Sequence, residues 1–272
     1  MHRARRILQP IGAAAGIAAA WALFEAQWVE LREVETRLDR LPPELDGFTI
    51  LHLSDFHLGT VSLNGRTLER AVGWSEEEEV DLVALTGDLL SRRRGEARLT
   101  DALRRFRSRH GVYAVLGNHD VEEARSALGT GLLEDSSVVV DIRGKRVQIA
   151  GGGPGEDWRW RKLERLADPD ADLRILLFHF PDVTQWLPPA SYDLILAGHL
   201  HGGQICLPTP RGKLRLEHLW AHHWEGIDET EAGTLHVSRG LGTSFVPFRF
   251  LARPEATKLT LRCPTRRCHP GF

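Results

Sequence analysis

The chain has 272 residues, 26% of them charged and 42% hydrophobic, with a net charge of −2 and an isoelectric point near 6.7. That length supports one large core, and the near-neutral balance gives no sign of the basic surface that nucleic acid requires. Three cysteines, at 206, 263 and 268, are too few for a disulfide framework; Cys263 and Cys268 could pair outside the cytosol, but a dispensable tail is the favoured account of them.

Arg3, Arg5 and Arg6 precede an uncharged stretch of 18 residues from Ile7 to Phe24. At 1.5 Å rise per residue this spans about 27 Å, against a hydrocarbon core of roughly 30 Å. Residues 1–24 are therefore read first as an uncleaved membrane anchor. A cleaved signal peptide, with small residues at Ala18, Ala19 and Ala20, and a helix that stays in water are the alternatives, and the Arg5-Arg6 pair admits a twin-arginine signal. Arginines retained in the cytoplasm would place the rest of a single-pass protein outside the cytoplasmic membrane; cleavage would instead give a secreted product. Residues 25–44 read as a charged connector, partly helical or extended, broken at Pro42 and Pro43. The main domain is expected over 45–265, followed by a tail at 266–272.

Within that domain, five apolar runs each stop on side chains that seek metals. Phe48–Leu53 leads into Asp55-Phe56-His57, and Leu82–Thr86 into Gly87-Asp88. Val112–Leu116 leads into Gly117-Asn118-His119-Asp120, Leu173–Phe178 into His179, and Asp193–Ala197 into Gly198-His199-Leu200-His201. Runs of this length that do not alternate with polar residues predict strands buried on both faces. Ligands gather beyond the carboxyl ends of such strands. Each block alone has a bland reading as turn chemistry or a core histidine, but five in one order point to a metal centre. Carboxylate, imidazole and amide oxygen without thiolate argue against a structural zinc or iron–sulfur site. They suit two divalent ions, manganese, iron or zinc, sharing a bridging carboxylate, an arrangement used for displacement at phosphorus.

Between these runs, Gly65–Trp74, Leu99–Arg109 and Val121–Leu133 predict helices. Short strands are expected at Ser137–Asp141, Arg146–Gly151, Leu235–Ser238 and Lys258–Arg262. Glu76–Glu79 reads as a solvated helix end. Gly151–Gly155 lacks the Gly-Lys-Ser/Thr of a phosphate loop and reads as a turn. Arg92-Arg93-Arg94 would stand on the rim of the site, either as a solvated loop or gripping an anionic headgroup. His218, His222 and His223 read as a surface loop in preference to a third metal site. Trp158, Trp160, Trp220 and Trp224 could form an apolar rim facing lipid.

In these five blocks the sequence resembles the calcineurin-like metallophosphoesterases, over roughly Leu45 to Leu261. Leu53-Ser54-Asp55-Phe56-His57-Leu58-Gly59, Ala197–Gln204 and Ser238-Arg239-Gly240-Leu241-Gly242 look most similar to a membrane-anchored bacterial phosphodiesterase branch that includes UDP-diacylglucosamine pyrophosphatase-like enzymes. The resemblance implies an α/β fold, a four-layer α-β-β-α sandwich of two mixed sheets. It further implies that Asp55, His57 and His201 hold one ion, that Asn118, His179 and His199 hold the other, and that Asp88 bridges them. His119 would serve the leaving group, with Asp120 orienting its ring. Phe180, where a small polar residue is common, and Leu200, where Thr is usual, depart from the pattern at positions that are not ligands.

The implied activity is hydrolysis of a phosphodiester, pyrophosphate or phosphomonoester by a metal-bridging hydroxide, on a phosphorylated small molecule or a lipid-linked substrate. A non-catalytic metal-binding scaffold at the membrane is the alternative, and the presence of His119 with Asp120 speaks against it.

Overall fold

The computed structural model describes residues 16–154, 160–210, 212–217 and 221–264. Two sheets face each other. The first has the order β1-β13-β2-β3-β4, from Glu30–Arg37 (β1), Glu255–Arg262 (β13), Thr49–Leu53 (β2), Leu82–Thr86 (β3) and Val112–Val115 (β4). The second has the order β11-β12-β8-β7-β6-β5, from Gly226–Thr230 (β11), Gly233–Val237 (β12), Leu194–Ala197 (β8), Leu173–Leu177 (β7), Lys145–Gly151 (β6) and Ser136–Ile142 (β5). A two-stranded ribbon, Cys206–Thr209 (β9) with Gly212–Arg215 (β10), stands apart.

Each sheet is mixed. β2, β3 and β4 run parallel, and β13 is antiparallel to β2; β6, β7, β8 and β12 run parallel, and β5 and β11 close the edges antiparallel.

The side-chain period of two in a strand sorts the apolar runs into layers. On β2 and β3, Leu51, Leu53, Val83 and Leu85 pack outward against Leu68, Ala71 and Val72 of helix α1 (Asn64–Glu77), Leu99 and Ala102 of α2 (Glu96–Arg105), and Ala124 and Leu128 of α3 (Glu122–Leu128). Their alternates Ile50, Leu82 and Ala84 face inward, onto Ile175, Leu177, Leu194 and Leu196 of the second sheet. Leu176, Ile195 and Ala197 turn to the far side, where Leu163 of α4 (Trp160–Leu166), Val183 and Leu187 cover them. The result is the four-layer α-β-β-α sandwich. The unbroken apolar strands read in the sequence are unbroken because both faces are covered.

Several boundaries differ from the sequence reading, among them the second expected helix, which runs Glu96–Arg105. The charged stretch expected as a connector contains β1, which pairs in parallel with all eight residues of β13. Edge strands tolerate such charge because one rim meets water, and the half-buried Val34 and the buried Thr36 tie it to the core. Residues 16–25 are helical, and the backbone N–H of Arg249 donates to Ala22 O at 3.1 Å. The third expected helix ends at Leu128 instead of Leu133, because Gly129 adopts φ +54° and stops it.

No helix among the described residues is long and apolar enough to cross a membrane; residues 1–15, which hold most of the expected anchor, lie outside them. So do Trp158, His218, Trp220, Cys268 and the expected tail. Cys263 is disulfide-bonded, and Cys206 is a buried free thiol.

Candidate metal centre

The carboxyl ends of β2, β3, β4, β7 and β8 open at one place. Backbone bonds zip their loops together there: Asp55 N to Gly87 O (2.9 Å), His57 N to Asp88 O (2.8 Å) and Gly198 N to His179 O (3.0 Å). The Ser238–Gly242 loop closes the other side through Leu241 N to Ser54 O (2.9 Å) and Gly242 N to Asp55 O (2.6 Å). Gly87 takes φ +89°, and a Cβ there would fall 2.5 Å from Gly117 N. A Cβ on Gly117 would collide with the Asp88 carboxylate. Both Gly-Asp and Gly-Asn turns thus need glycine so that two loops can touch.

Ligand atoms of Asp55, His57 and His201 lie within 4.8 Å of one another, and so do those of Asp88, His179 and His199. Asp88 joins the groups: its Oδ2 is 3.3 Å from His179 Nε2 and 3.6 Å from His57 Nε2. The two pairs of imidazole nitrogens face one another, His57 Nε2 to His201 Nε2 at 3.1 Å and His199 Nδ1 to His179 Nε2 at 3.2 Å. Asp55 Oδ1 is fully buried without a hydrogen-bond partner. A buried orphan oxygen and converging ring nitrogens are costly unless a cation satisfies them, so the donor set fits two divalent ions with nitrogen and oxygen ligands. Asp55, His57, Asp88, His199 and His201 all hold positive φ, between 45° and 74°. Such backbone strain gathers at sites where geometry is over-determined.

The electrostatics agree. Burial lifts the Asp55 carboxyl to about 6. Although burial opposes it, the neighbouring His179 and His57 hold Asp88 well below the carboxylate range. Burial lowers His57 to about 4 and also lowers His201. Against that same burial, Asp88 followed by Asp55 raises His179 to about 9. Acid and base here are matched to each other and not to water.

The outer nitrogens are held in turn. His57 Nδ1 meets Ser91 Oγ (2.8 Å), and His179 Nδ1 donates to Thr86 O (2.7 Å), which fixes the ring orientations. His119 donates its backbone N–H to Asp88 Oδ1 at 2.8 Å, and its ring lies 5.5 Å from that of His57. Asn118 and His119 line a cleft of about 630 Å³ that meets the centre at His57, together with Arg92 and Arg94. Arg93 turns aside, 3.4 Å from Glu123.

Asp120 does something other than expected. Its two oxygens accept the backbone N–H groups of Leu90 (2.7 Å) and Gly117 (2.8 Å), so it ties the two turns instead of orienting the His119 ring. Burial raises its carboxyl to about 7. Phe180 packs edge-on against His199 and His179, at 4.6 and 4.9 Å between ring centroids. His223 pairs with Asp228 at 3.0 Å, and Trp224 lies under the Arg215 guanidinium at 4.7 Å, so neither presents the third metal site or the free apolar rim considered above.

Arg249 was not legible as a site residue. It is fully buried beneath His201 and donates to the carbonyls of His201, Gly242, Ala252, Arg239 and Gly240, with Nη2 3.2 Å from His201 Nδ1. Its one sequence signal is a lone charge inside Pro247-Phe248-Arg249-Phe250-Leu251.

The pattern of the calcineurin-like phosphoesterases matches residues 48–203. The chain is 30% identical over 229 residues to the uncharacterized metallophosphoesterase YkoQ of Bacillus subtilis (strain 168), covering 79% of this chain and 84% of that protein. It is 26% identical over 276 residues to the phosphodiesterase YaeI of Escherichia coli (strain K12), covering 94% and 98%. A Bos taurus transmembrane protein with metallophosphoesterase domain is 30% identical over 267 residues, 88% of this chain and 59% of that protein. The chain belongs to the calcineurin-like phosphoesterase family. It is a metal-dependent phosphoric ester hydrolase, and its two groups of Asp and His side chains are candidate metal sites.

Proposed function

We propose that the chain hydrolyses phosphodiesters. Asp55, His57 and His201 would hold one divalent ion, Asn118, His179 and His199 the other, and Asp88 both. Once bound, two such ions lower the pKa of water, neutralise charge on the phosphoryl oxygens and orient the ester for displacement. The observation that carries this reading is Asp88 Oδ2, within 3.6 Å of a histidine from each group.

The protein's own side chains supply the rest. His119 faces the cleft from the turn that Asp88 anchors, placed to give a proton to the departing alkoxide. Arg92 and Arg94 offer positive charge to the ester's non-bridging oxygens or an adjoining anionic group. Asp120 holds the His119 turn against the Asp88 turn. The diester is preferred over the monoester because a full-length relative is named a phosphodiesterase; pyrophosphate is the nearest competitor.

For its place, we infer attachment to the cytoplasmic membrane through the N-terminal segment that follows Arg6, with the catalytic part outside. The three arginines before it and a relative named as a transmembrane protein support this. Fractionation of full-length protein with a C-terminal tag decides it. Recovery in the membrane pellet with digestion by protease added to spheroplasts is expected. A shorter soluble product would mean a cleaved signal, and a protected membrane form the inverse orientation. For the activity, the manganese-loaded protein assayed on diester, monoester and pyrophosphate panels should turn over diesters fastest; preference for monoesters would overturn that part.

A further inference from the structure

Beside the metal-centre cleft runs a second, apolar groove of about 280 Å³, lined by Leu23 of the helix at 16–25 and Ala26 just after it, by Val61 and Leu63, and by Pro247. The two cavities share Val61, Ser62, Thr243 and Pro247 as common walls.

The groove offers a ligand almost nothing polar. Asn64 Oδ1 accepts from Thr243 N and Oγ1 (both 3.1 Å), and its Nδ2 donates to His57 O (3.3 Å) and Thr243 O (3.2 Å). Ser62 Oγ bonds Thr60 Oγ1 at 2.9 Å, and Gln27 is taken up by Leu23 O (2.9 Å) and Arg66 (3.3 Å). All four polar side chains on its wall are therefore engaged. Among its apolar side chains, Val61 is 86% exposed and Leu63 44%. Exposed apolar surface next to a polar site marks a binding surface.

A built feature stands at the junction. Phe245 is 86% exposed at φ +44°, edge-on to His119 with centroids 5.8 Å apart. Its loop is pinned on both sides by the buried Gln204, which donates to Ser244 O (3.1 Å) and Val246 O (3.4 Å) and accepts from Ser244 N (3.0 Å). A bulky residue in the left-handed region is strained and persists only where its surroundings enforce it. Cationic Arg92 and Arg94 thus stand on the cleft with Val61, Phe245 and Val246, and the groove beyond Val61 is apolar. That sequence of charges and surfaces fits an amphiphile with an anionic head.

We propose that this groove receives the hydrocarbon chain of the substrate, an amphiphilic phosphoester whose phosphoryl group lies at the metal centre and whose chain passes Phe245. The proposal rests on the phosphoesterase reading above and adds the class of substrate.

Calorimetric titration of the manganese-loaded, full-length protein with methyl-, butyl- and octylphosphonate tests it without turnover. Half-burial of a methylene is worth about twofold in affinity, so the seven added methylenes of the octyl ligand should tighten binding on the order of 100-fold. The double variant Val61→Asn with Leu63→Gln, both at exposed positions, should cut that ratio below about 10 while methylphosphonate still binds. Equal affinity across the series would overturn the groove and leave the phosphoryl site standing, as would a ratio that survives the double variant. Failure of all three ligands to bind would overturn the phosphoryl site and the proposal with it.

Discussion

Among the described residues, Asp88 is the one carboxylate whose oxygen approaches histidines of both ligand groups. Asp88→Asn keeps the shape and removes the charge, so metal analysis should find at most one tightly held ion per chain, and activity should fall with it. Two firmly bound ions in that variant would remove Asp88 from the bridge. Asp55→Ala should weaken one ion preferentially, because its Oδ1 is 3.4 Å from His201 Nε2 and belongs to the first group alone. His119 separates chemistry from binding. His119→Ala should keep both ions and lose roughly 10²–10⁴-fold in kcat, with a smaller loss for nitrophenyl esters, whose leaving group needs no proton. An equal loss for good and poor leaving groups would assign His119 to positioning. Arg249 answers to a different measurement. Removing a buried cation that serves five carbonyls leaves several acceptors without donors, so Arg249→Met should destabilise by about 3–5 kcal/mol in urea titration. A loss under ~1 kcal/mol would show that water can replace the guanidinium.

At the level of elements, the two sheets meet through a polar contact inside an otherwise apolar interface. His52 on β2 and His236 on β12 approach at 2.7 Å between Nδ1 atoms, and His52 Nε2 bonds Thr86 Oγ1 at 2.9 Å. Both rings are fully buried. Burial first, and then the neighbouring ring, holds His52 well below 6.5; burial lowers His236 to about 4. The unfolded chain therefore binds more protons than the folded one. Stability contributed by the neutral pair is complete above about pH 6.5 and is lost as pH falls through about 4, at up to ~1.4 kcal/mol per pH unit for each ring. Thermal melts of metal-free protein across that window should show a drop that His52→Gln with His236→Leu flattens; an unchanged slope would place the acid sensitivity elsewhere. The strand β2 also shows what the sequence made legible. Its apolar run, its length and the Asp-x-His beyond it are local features, and the strand and the five metal-seeking loops were readable from them. The partners of those loops were not. Asp120 binds backbone from two turns, Gln204 reaches forty residues ahead to Ser244, and Arg249 sits under His201; such contacts depend on which loops the topology brings together, and no residue pattern along the chain records that.

For the whole molecule, the place where the folded unit begins follows from β1. A charged stretch ending in two prolines reads as a connector to a domain that starts near Leu45. Yet β1 pairs along its full length with β13, and the buried Glu25 accepts the backbone N–H of Ala252 at 2.9 Å. Deleting residues 1–15 should leave a folded, metal-binding protein. Deleting 1–40 strips a strand and bares the edge of β13, so it should lower the melting temperature and promote aggregation. Equal melting temperatures for the two truncations would show β1 to be dispensable.

The account as a whole rests on two ions acting together at one centre, and a metal titration tests it most directly. Metal-free protein is titrated with manganese while bound metal per chain and phosphodiester hydrolysis are read from the same samples. Activity is expected to stay low through the first equivalent and to rise with the second, reaching its plateau at two ions per chain. Full activity at one ion per chain, or two bound ions with no hydrolysis of any phosphoester, would contradict it.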